Sequence, residues 1–309
     1  MKEMEVSLKV GCAKRLIAKK RKQAYRRVIK KGVGKVPKAL KDLYLSCRET
    51  FKGPGTVPSP QHVQALCSIL DNMKPEDVGL SKDLPFFNPE NVVKDNPRVT
   101  YTTIYKCDNF SLCIFFLPAK GVIPLHNHPE MTVFSKLLLG KMHIKSYDWV
   151  DPEITSCLSS PQSQSQLRLA KLIADNVFAA PCDTSVLYPR TGGNIHEFTA
   201  ITPCAVLDVI GPPYSKEDGR DCSYYKDHPY TTFSSKQHFH FRQLLFHIIH
   251  KSMFKLMNYL IYVDGEDADV KEECDRYGWL EEIEMPENSI MDGIKYLGPP
   301  ITAETEDLL

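Results

Sequence analysis

Residues 99–210 cannot be drawn as long helices. Apolar side chains alternate or cluster in short runs, and Gly, Pro, Asn or Ser punctuates the gaps between them. The runs are 99–107, 111–117, 131–139, 141–149, 167–178, 185–188, 195–201 and 205–210. Alternation of period two puts successive side chains on opposite faces of a strand. Many short strands at close spacing bury their apolar faces either against a second sheet or by closing on themselves. The chain is therefore expected to be all-β, a sandwich or a barrel.

The flanks differ from this centre. Residues 1–41 hold 15 Lys+Arg against 2 acids, a net of +13, and the remainder carries −12. A basic arm thus precedes an acidic body. Its clusters, Lys14-Arg15, Lys19-Lys20-Arg21-Lys22, Arg26-Arg27 and Lys30-Lys31, suit a nuclear-addressing signal or a plainly solvated tail. No aromatic-interleaved basic surface accompanies them, so direct nucleic-acid binding is not expected. Residues 53–60 are a Gly/Pro breaker, and Val63, Leu66, Ile69 and Leu70 predict a helix over 60–73. Residues 74–98 are loop-rich, with prolines at 75, 85, 89 and 97. The Ser/Gln-rich stretch 156–166 reads as a loop.

Residues 235–262 contain no Gly, Pro, Ala, Val, Thr, Asp or Glu. The missing residues mostly have GC-rich codons, and the residues present are largely AT-rich. The stretch reads as translated intron. The competing reading is a genuine amphipathic helix, since Leu244, Leu245, Ile248 and Ile249 share one face. The expected organisation is an arm over 1–41, a helical and loop extension over 42–98, and a barrel over 99–234. The insert 235–262, the rest of the barrel domain over 263–300 and a tail over 301–309 follow.

No apolar run reaches the roughly 18–20 residues that span a bilayer, and the basic N-terminus lacks a signal-type apolar block. The ten cysteines form no CxxC pair. Both features point to an intracellular chain with free thiols and no membrane association.

Chemistry concentrates in Gly121-Val-Ile-Pro-Leu-His126-Asn-His128-Pro-Glu-Met131. On a strand, residues i and i+2 share a face, so His126 and His128 point inward together and Asn127 points away. A third ligand should come from another strand. Pro189-Arg-Thr-Gly-Gly-Asn-Ile-His196 offers one, a Gly-Gly turn leading into a strand that carries His196.

These two segments resemble the paired motifs of the cupin superfamily, including the Gly-x-x-His spacing from Gly193 to His196. The resemblance implies a double-stranded β-helix (jelly-roll) barrel with a few N-terminal helices. Many cupins add a carboxylate four or five residues after the HxH. Those positions are Thr132 and Val133 here, and Glu130 sits too near His128 to replace them. An Asn that often follows the last His by four residues is Ala200. The implied site is three neutral imidazoles around a cation that keeps its +2 charge. Such a site favours an anionic thiolate, and Fe(2+) is the metal that thiol dioxygenases use. Zn(2+) competes on ligand type alone.

The likeness extends further. Residues 101–230, with Tyr277-Gly-Trp-Leu-Glu-Glu282, resemble the plant cysteine oxidases, relatives of animal 2-aminoethanethiol dioxygenase. The segments that carry it are His126-Asn-His-Pro-Glu-Met131, Lys145-Ser-Tyr-Asp-Trp149, Leu207-Asp-Val-Ile-Gly-Pro-Pro-Tyr214 and Asp221-Cys-Ser-Tyr-Tyr225. The family runs almost directly into the Tyr-x-Trp-Leu segment, where 235–262 intervenes here.

That resemblance implies a cysteine dioxygenase that uses O2 to convert the N-terminal cysteine of target proteins to sulfinic acid. Its substrates would be proteins such as group VII ethylene response factors. The product would enter the N-degron pathway and so report hypoxia, in nucleus and cytoplasm. The enzyme is expected to be a monomer. Asp208, before the turn at 211–213, would pair with the substrate α-ammonium, or else brace the adjoining loop. Tyr214 would place its hydroxyl near sulfur or oxygen, or else pack at the rim. Cys222 and Tyr224 match positions joined by a thioether in the animal relative; the plainer role is packing at the mouth. A small-thiol (cysteamine or cysteine) dioxygenase and a non-catalytic metal-binding cupin are the alternatives. Histidines 143, 228, 238, 240, 247 and 250 are expected to be structural or exposed.

Overall fold

The computed structural model describes residues 36–80, 98–150, 167–233 and 276–301. Residues 1–35 of the basic arm, the Ser/Gln-rich stretch and the insert 235–262 lie outside these.

Two helices come first, α1 (Lys38–Thr50) and α2 (Pro60–Asn72). Helix α2 starts where its caps dictate. Ser59 accepts the His62 N–H at 3.3 Å, and Pro60 takes the first helical position, where a missing N–H costs nothing. It ends one residue before the expected bound. Helix α1 spans residue 41, where the basic arm is expected to give way to the helical and loop extension, although the sequence pattern marks no helix at these particular residues. Leu40, Leu43, Tyr44 and Cys47 form its buried face at helical spacing. Lys38 and Lys41 break that stripe in the sequence, and Pro37 caps the start without a side-chain bond.

Twelve strands follow. They are β1 (Thr100–Lys106), β2 (Ser111–Leu117), β3 (Val122–Asn127), β4 (Thr132–Leu139), β5 (Lys141–Trp149) and β6 (Leu167–Ala179). Then come β7 (Ser185–Leu187), β8 (Ile195–Ala200), β9 (Cys204–Gly211), β10 (Tyr224–Pro229), β11 (Tyr277–Ile283) and β12 (Asp292–Gly293). Each of the eight expected runs is a strand to within one or two residues. Strand β3 carries the first histidine of the HxH segment and ends just before the second, and β10 to β12 complete the set.

The strands form two layers. One is a six-stranded sheet in the order β12-β1-β2-β9-β4-β7; the other closes on itself as β10-β11-β6-β5-β8-β3. Pairing is antiparallel except between β1 and β12. This is the expected all-β, cupin-type double-stranded β-helix. Strand β9 is buried along its whole length, the mark of a central strand covered on both faces. Its Leu207 and Val209 join α1 and α2 in an outer core with Phe110, Leu112 and Phe134. Val206, with Leu117, Ile123, Leu137 and Phe198, packs between the layers. The helices therefore seal one face of the open sheet and leave its other face to the inter-sheet space. No helix among the described residues is long and apolar enough to cross a membrane.

Candidate metal centre

Strands β3 and β8 run antiparallel with His126 opposite His196, and β8 in turn pairs Ser146 of β5 with His196. The two imidazoles therefore leave neighbouring strands side by side. His128 differs from expectation in one respect. Strand β3 ends at Asn127, so His128 lies just past the ladder. Asn127 does face away. Its side chain accepts the Ser223 N–H at 2.8 Å and donates to the Tyr225 hydroxyl at 3.2 Å.

The three rings converge. Ring centroids lie 4.9 Å apart for His126–His128, 4.9 Å for His126–His196 and 4.8 Å for His128–His196. One nitrogen from each falls within 4.8 Å of the others, and this is the only such group of metal-binding type among the described residues. All three are buried. Burial pulls each imidazole below its ordinary range; for His128 and His196 neighbouring imidazoles add to the effect. Neutral rings are what a cation needs.

The outward nitrogens fix the tautomers. His126 Nδ1 lies 2.8 Å from the Pro124 carbonyl, which only accepts, so Nδ1 carries the proton. Tyr214 donates its hydroxyl hydrogen to the Asn127 carbonyl at 2.9 Å. The phenol oxygen is then free to accept from His128 Nδ1–H at 2.8 Å. Both rings are left with Nε2 as the lone-pair atom, and His128 Nε2 lies 3.1 Å from His196 Nε2. Three neutral nitrogen donors, two of them held by outer hydrogen bonds, fit a divalent transition metal. Thr132 and Val133 are buried and bring no carboxylate to the group.

A cavity of ≈ 340 Å³ opens beside the histidines. Its wall includes Thr103, Cys113 and Asp208, in register across three strands, and Ser135 continues that row on β4 behind Asp208. Thr103 is exposed and marks the mouth, with Tyr101 and Tyr224 nearby. Asp208 is 4% exposed. Burial raises its carboxyl to about 7, against the opposing pull of a Ser135 hydrogen bond. Its Oδ1 has no partner. An unsatisfied buried carboxylate in a cavity calls for a cation or a donor.

Tyr214 and Cys222 also line this space. Burial raises the Tyr214 hydroxyl well above its usual range. The Cys222 thiol is pushed up to about 11, chiefly by burial, so it stays protonated. All six expected site residues therefore share one cavity. His143 and His228 instead pair with Asp175 at 2.6 Å and Glu281 at 2.8 Å, away from it. A larger space of ≈ 720 Å³ lies between the start of α2 and the turn 188–191. It is apolar and gathers no catalytic groups, so its size does not make it the site.

Sequence reasoning passed over Asn194 and Asp148. Asn194 bonds the backbone of His128 at both ends, and Asp148 binds three backbone N–H groups of the turn before it. Both act on backbone atoms, which no residue spacing announces. The one available hint for Asp148 was its place in the Lys145–Trp149 segment.

Comparison with known proteins agrees with this picture. Residues 69–301 match the PCO_ADO family. Over 262 residues the chain is 48% identical to plant cysteine oxidase 2 of Arabidopsis thaliana, covering 84% of this chain and 82% of that one. It is 33% identical over 195 residues to 2-aminoethanethiol dioxygenase of Mus musculus, covering 57% and 75%. Among solved structures, an RmlC-like cupin from Desulfovibrio desulfuricans aligns at 19% identity and TM-score 0.28, over 44% of this chain and 94% of that one. A match running over most of the described strands, joined to the three-histidine centre they build, places the chain in the PCO_ADO family.

Proposed function

We propose that this chain is a thiol dioxygenase that oxidises the N-terminal cysteine of proteins to cysteine sulfinic acid, with Fe(2+) held by His126, His128 and His196. The observation that carries this reading is the buried Asp208, one carboxylate oxygen of which has no partner, sharing one cavity with three neutral, converging imidazoles.

The reaction balances without a cosubstrate: a thiol plus O2 gives a sulfinic acid. The bound metal would supply an acceptor for the thiolate and electrons for O2. The chain's own residues do the rest. His126 and His128 present Nε2 because Pro124 O and Tyr214 hold their Nδ1 protons. Asp208 is the group available to a substrate ammonium. In an N-terminal cysteine the thiol and the α-ammonium belong to one residue, so both can be engaged at once. An internal or N-acetylated cysteine brings no cation and leaves the carboxylate buried and unpaired. Tyr214 stands behind His128, and its role is to aim that ligand. Cys222, as a protonated thiol beside Tyr214 and Tyr224, packs the mouth.

A small-thiol substrate is the second reading. The cavity speaks for a polypeptide, because Tyr101 and Thr103 of β1 leave it open to solvent where a following residue would emerge. On this reading, oxidised targets such as group VII ethylene response factors enter the N-degron pathway, which falling O2 would interrupt. The basic arm serves a protein that meets its substrates in nucleus and cytoplasm.

The test is a mass measurement. Iron-loaded protein is incubated in air with a Cys-initiated peptide, its N-acetylated form and free cysteine. Two added oxygens on the free-N-terminus peptide alone are expected. Oxidation of free cysteine in preference to the peptide would establish the small-thiol reading instead, and no oxidation of any thiol would leave a binding cupin.

A further inference from the structure

His128 is the ligand that the ladder holds least. His126 and His196 sit inside β3 and β8, whereas His128 follows the last residue of β3. Its backbone is gripped by one side chain. Asn194 Oδ1 accepts the His128 N–H at 3.2 Å, and Asn194 Nδ2 donates to the His128 carbonyl at 2.8 Å. The other amide hydrogen goes to the Tyr188 carbonyl at 2.8 Å. One amide thus replaces the donor and acceptor that a neighbouring strand would have offered. Asn194 is 7% exposed, so these bonds are made away from water, where a lost partner is costly.

The amide is itself held in place. Asp148 on β5 accepts three successive backbone N–H groups: Gly192 at 2.9 Å, Gly193 at 2.9 Å and Asn194 at 3.0 Å. A run of N–H groups converging on one anion is a backbone nest. Its shape needs left-handed residues, and Gly192 and Gly193 have φ of 85° and 81°. A Cβ on Gly193 would lie 2.5 Å from Ser146 Oγ, so the turn also presses against β5. A continuous path runs from Asp148 through the turn to Asn194 and on to His128.

We propose that Asn194 is a positioning residue for the metal ligand His128, and that Asp148 acts through it to set the metal affinity of the site without touching metal or substrate. This rests on the metal reading above, and its test is chosen to fail separately from that reading. Metal-free full-length protein is titrated anaerobically with Co(2+), with no thiol present, and the visible absorption of the bound ion reports both affinity and ligand set.

Asn194→Ala is expected to weaken Co(2+) binding by about ten- to a hundred-fold, the usual effect of losing an outer-shell partner, and to alter the spectrum. Asp148→Ala should do the same. The double variant should lose no more than the worse single one, because both act along one path. A folded Asn194→Ala protein with wild-type affinity and spectrum overturns the proposal, and so do additive losses in the double variant. Should Asn194→Ala not fold, Asp148→Asn decides. It keeps an acceptor but drops the charge, so a smaller, measurable loss of affinity supports the path and wild-type binding overturns it. If the wild-type protein takes up no Co(2+), the metal reading itself falls; wild-type uptake with unaffected variants sinks only the clamp.

Discussion

Burial lifts the Asp208 carboxyl from an ordinary 3.8 to about 7 and leaves Oδ1 without a partner. The folded chain therefore holds this proton more tightly than the unfolded one. Stability falls as pH rises from about 4, and the penalty is complete above about 7. Asp208→Asn removes it while keeping the shape. In metal-free protein, the thermal midpoint of the variant should exceed that of wild type by a margin that grows between pH 5 and pH 8. Each pK unit is worth about 1.4 kcal/mol, and about 1 kcal/mol moves the midpoint by roughly 2–4 °C in a chain of this size. The same substitution should lower oxidation of a Cys-initiated peptide at least ten-fold, because the ammonium loses its counter-charge. A midpoint difference that does not change with pH would show that the carboxylate is already satisfied.

At the scale of elements, one carboxylate fastens α2 to the open sheet. Asp71 accepts Thr184 N–H at 2.7 Å and Thr184 Oγ1–H at 2.6 Å, and it meets Lys136 Nζ at 3.3 Å. Lys136 projects from β4 and also donates to the Cys182 carbonyl at 2.5 Å. Its side chain is 4% exposed against 34% for Asp71, so solvent screens part of the ion pair. Asp71→Ala leaves the ammonium with carbonyls only and strips Thr184 of its acceptor. The expected cost is about 1–3 kcal/mol, read as a lower urea midpoint with an unchanged slope; an unmoved midpoint would refute the fastening role. Elements of this kind were unequally legible in the sequence. Strands such as β2 and β4 announced themselves because a period of two survives on any sheet with a buried face. Helix α1 did not, because its four buried apolar residues lie among lysines that merge with the basic arm. His126 and His196 were legible as strand residues in known motifs. The hold on His128 was not, since it depends on Asn194, 66 residues away, and on backbone atoms that carry no residue signature. Asp208 was legible only through resemblance; what makes it distinctive is one buried oxygen without a partner, which appears once Cys113 and Ser135 flank it.

For the molecule as a whole, the question is whether the insert belongs to it. Strands β10 and β11 are paired neighbours with Pro229 opposite Gly278, so the two ends of the chain between them already lie side by side. Strand β10 also pairs Tyr224 with His126 of β3, and β11 continues into β6. This hairpin therefore closes the barrel beside the metal centre, and its integrity matters to the site. The length of its connection does not. Removing residues 235–262 shortens the link 230–277 from 48 residues to 20. The change in closure entropy is about 0.8 kcal/mol in favour of the shorter chain. The deletion variant should fold, unfold within about 3 °C of the full chain, bind Co(2+) with the same affinity and oxidise a Cys-initiated peptide at a rate within about two-fold. Those outcomes fit a stretch that enters the chain by translation of an intron, and sequencing of the spliced transcript checks the same idea upstream. A deletion variant that loses Co(2+) binding would instead make 235–262 a working part of the barrel, because the ends it joins need nothing from it to meet.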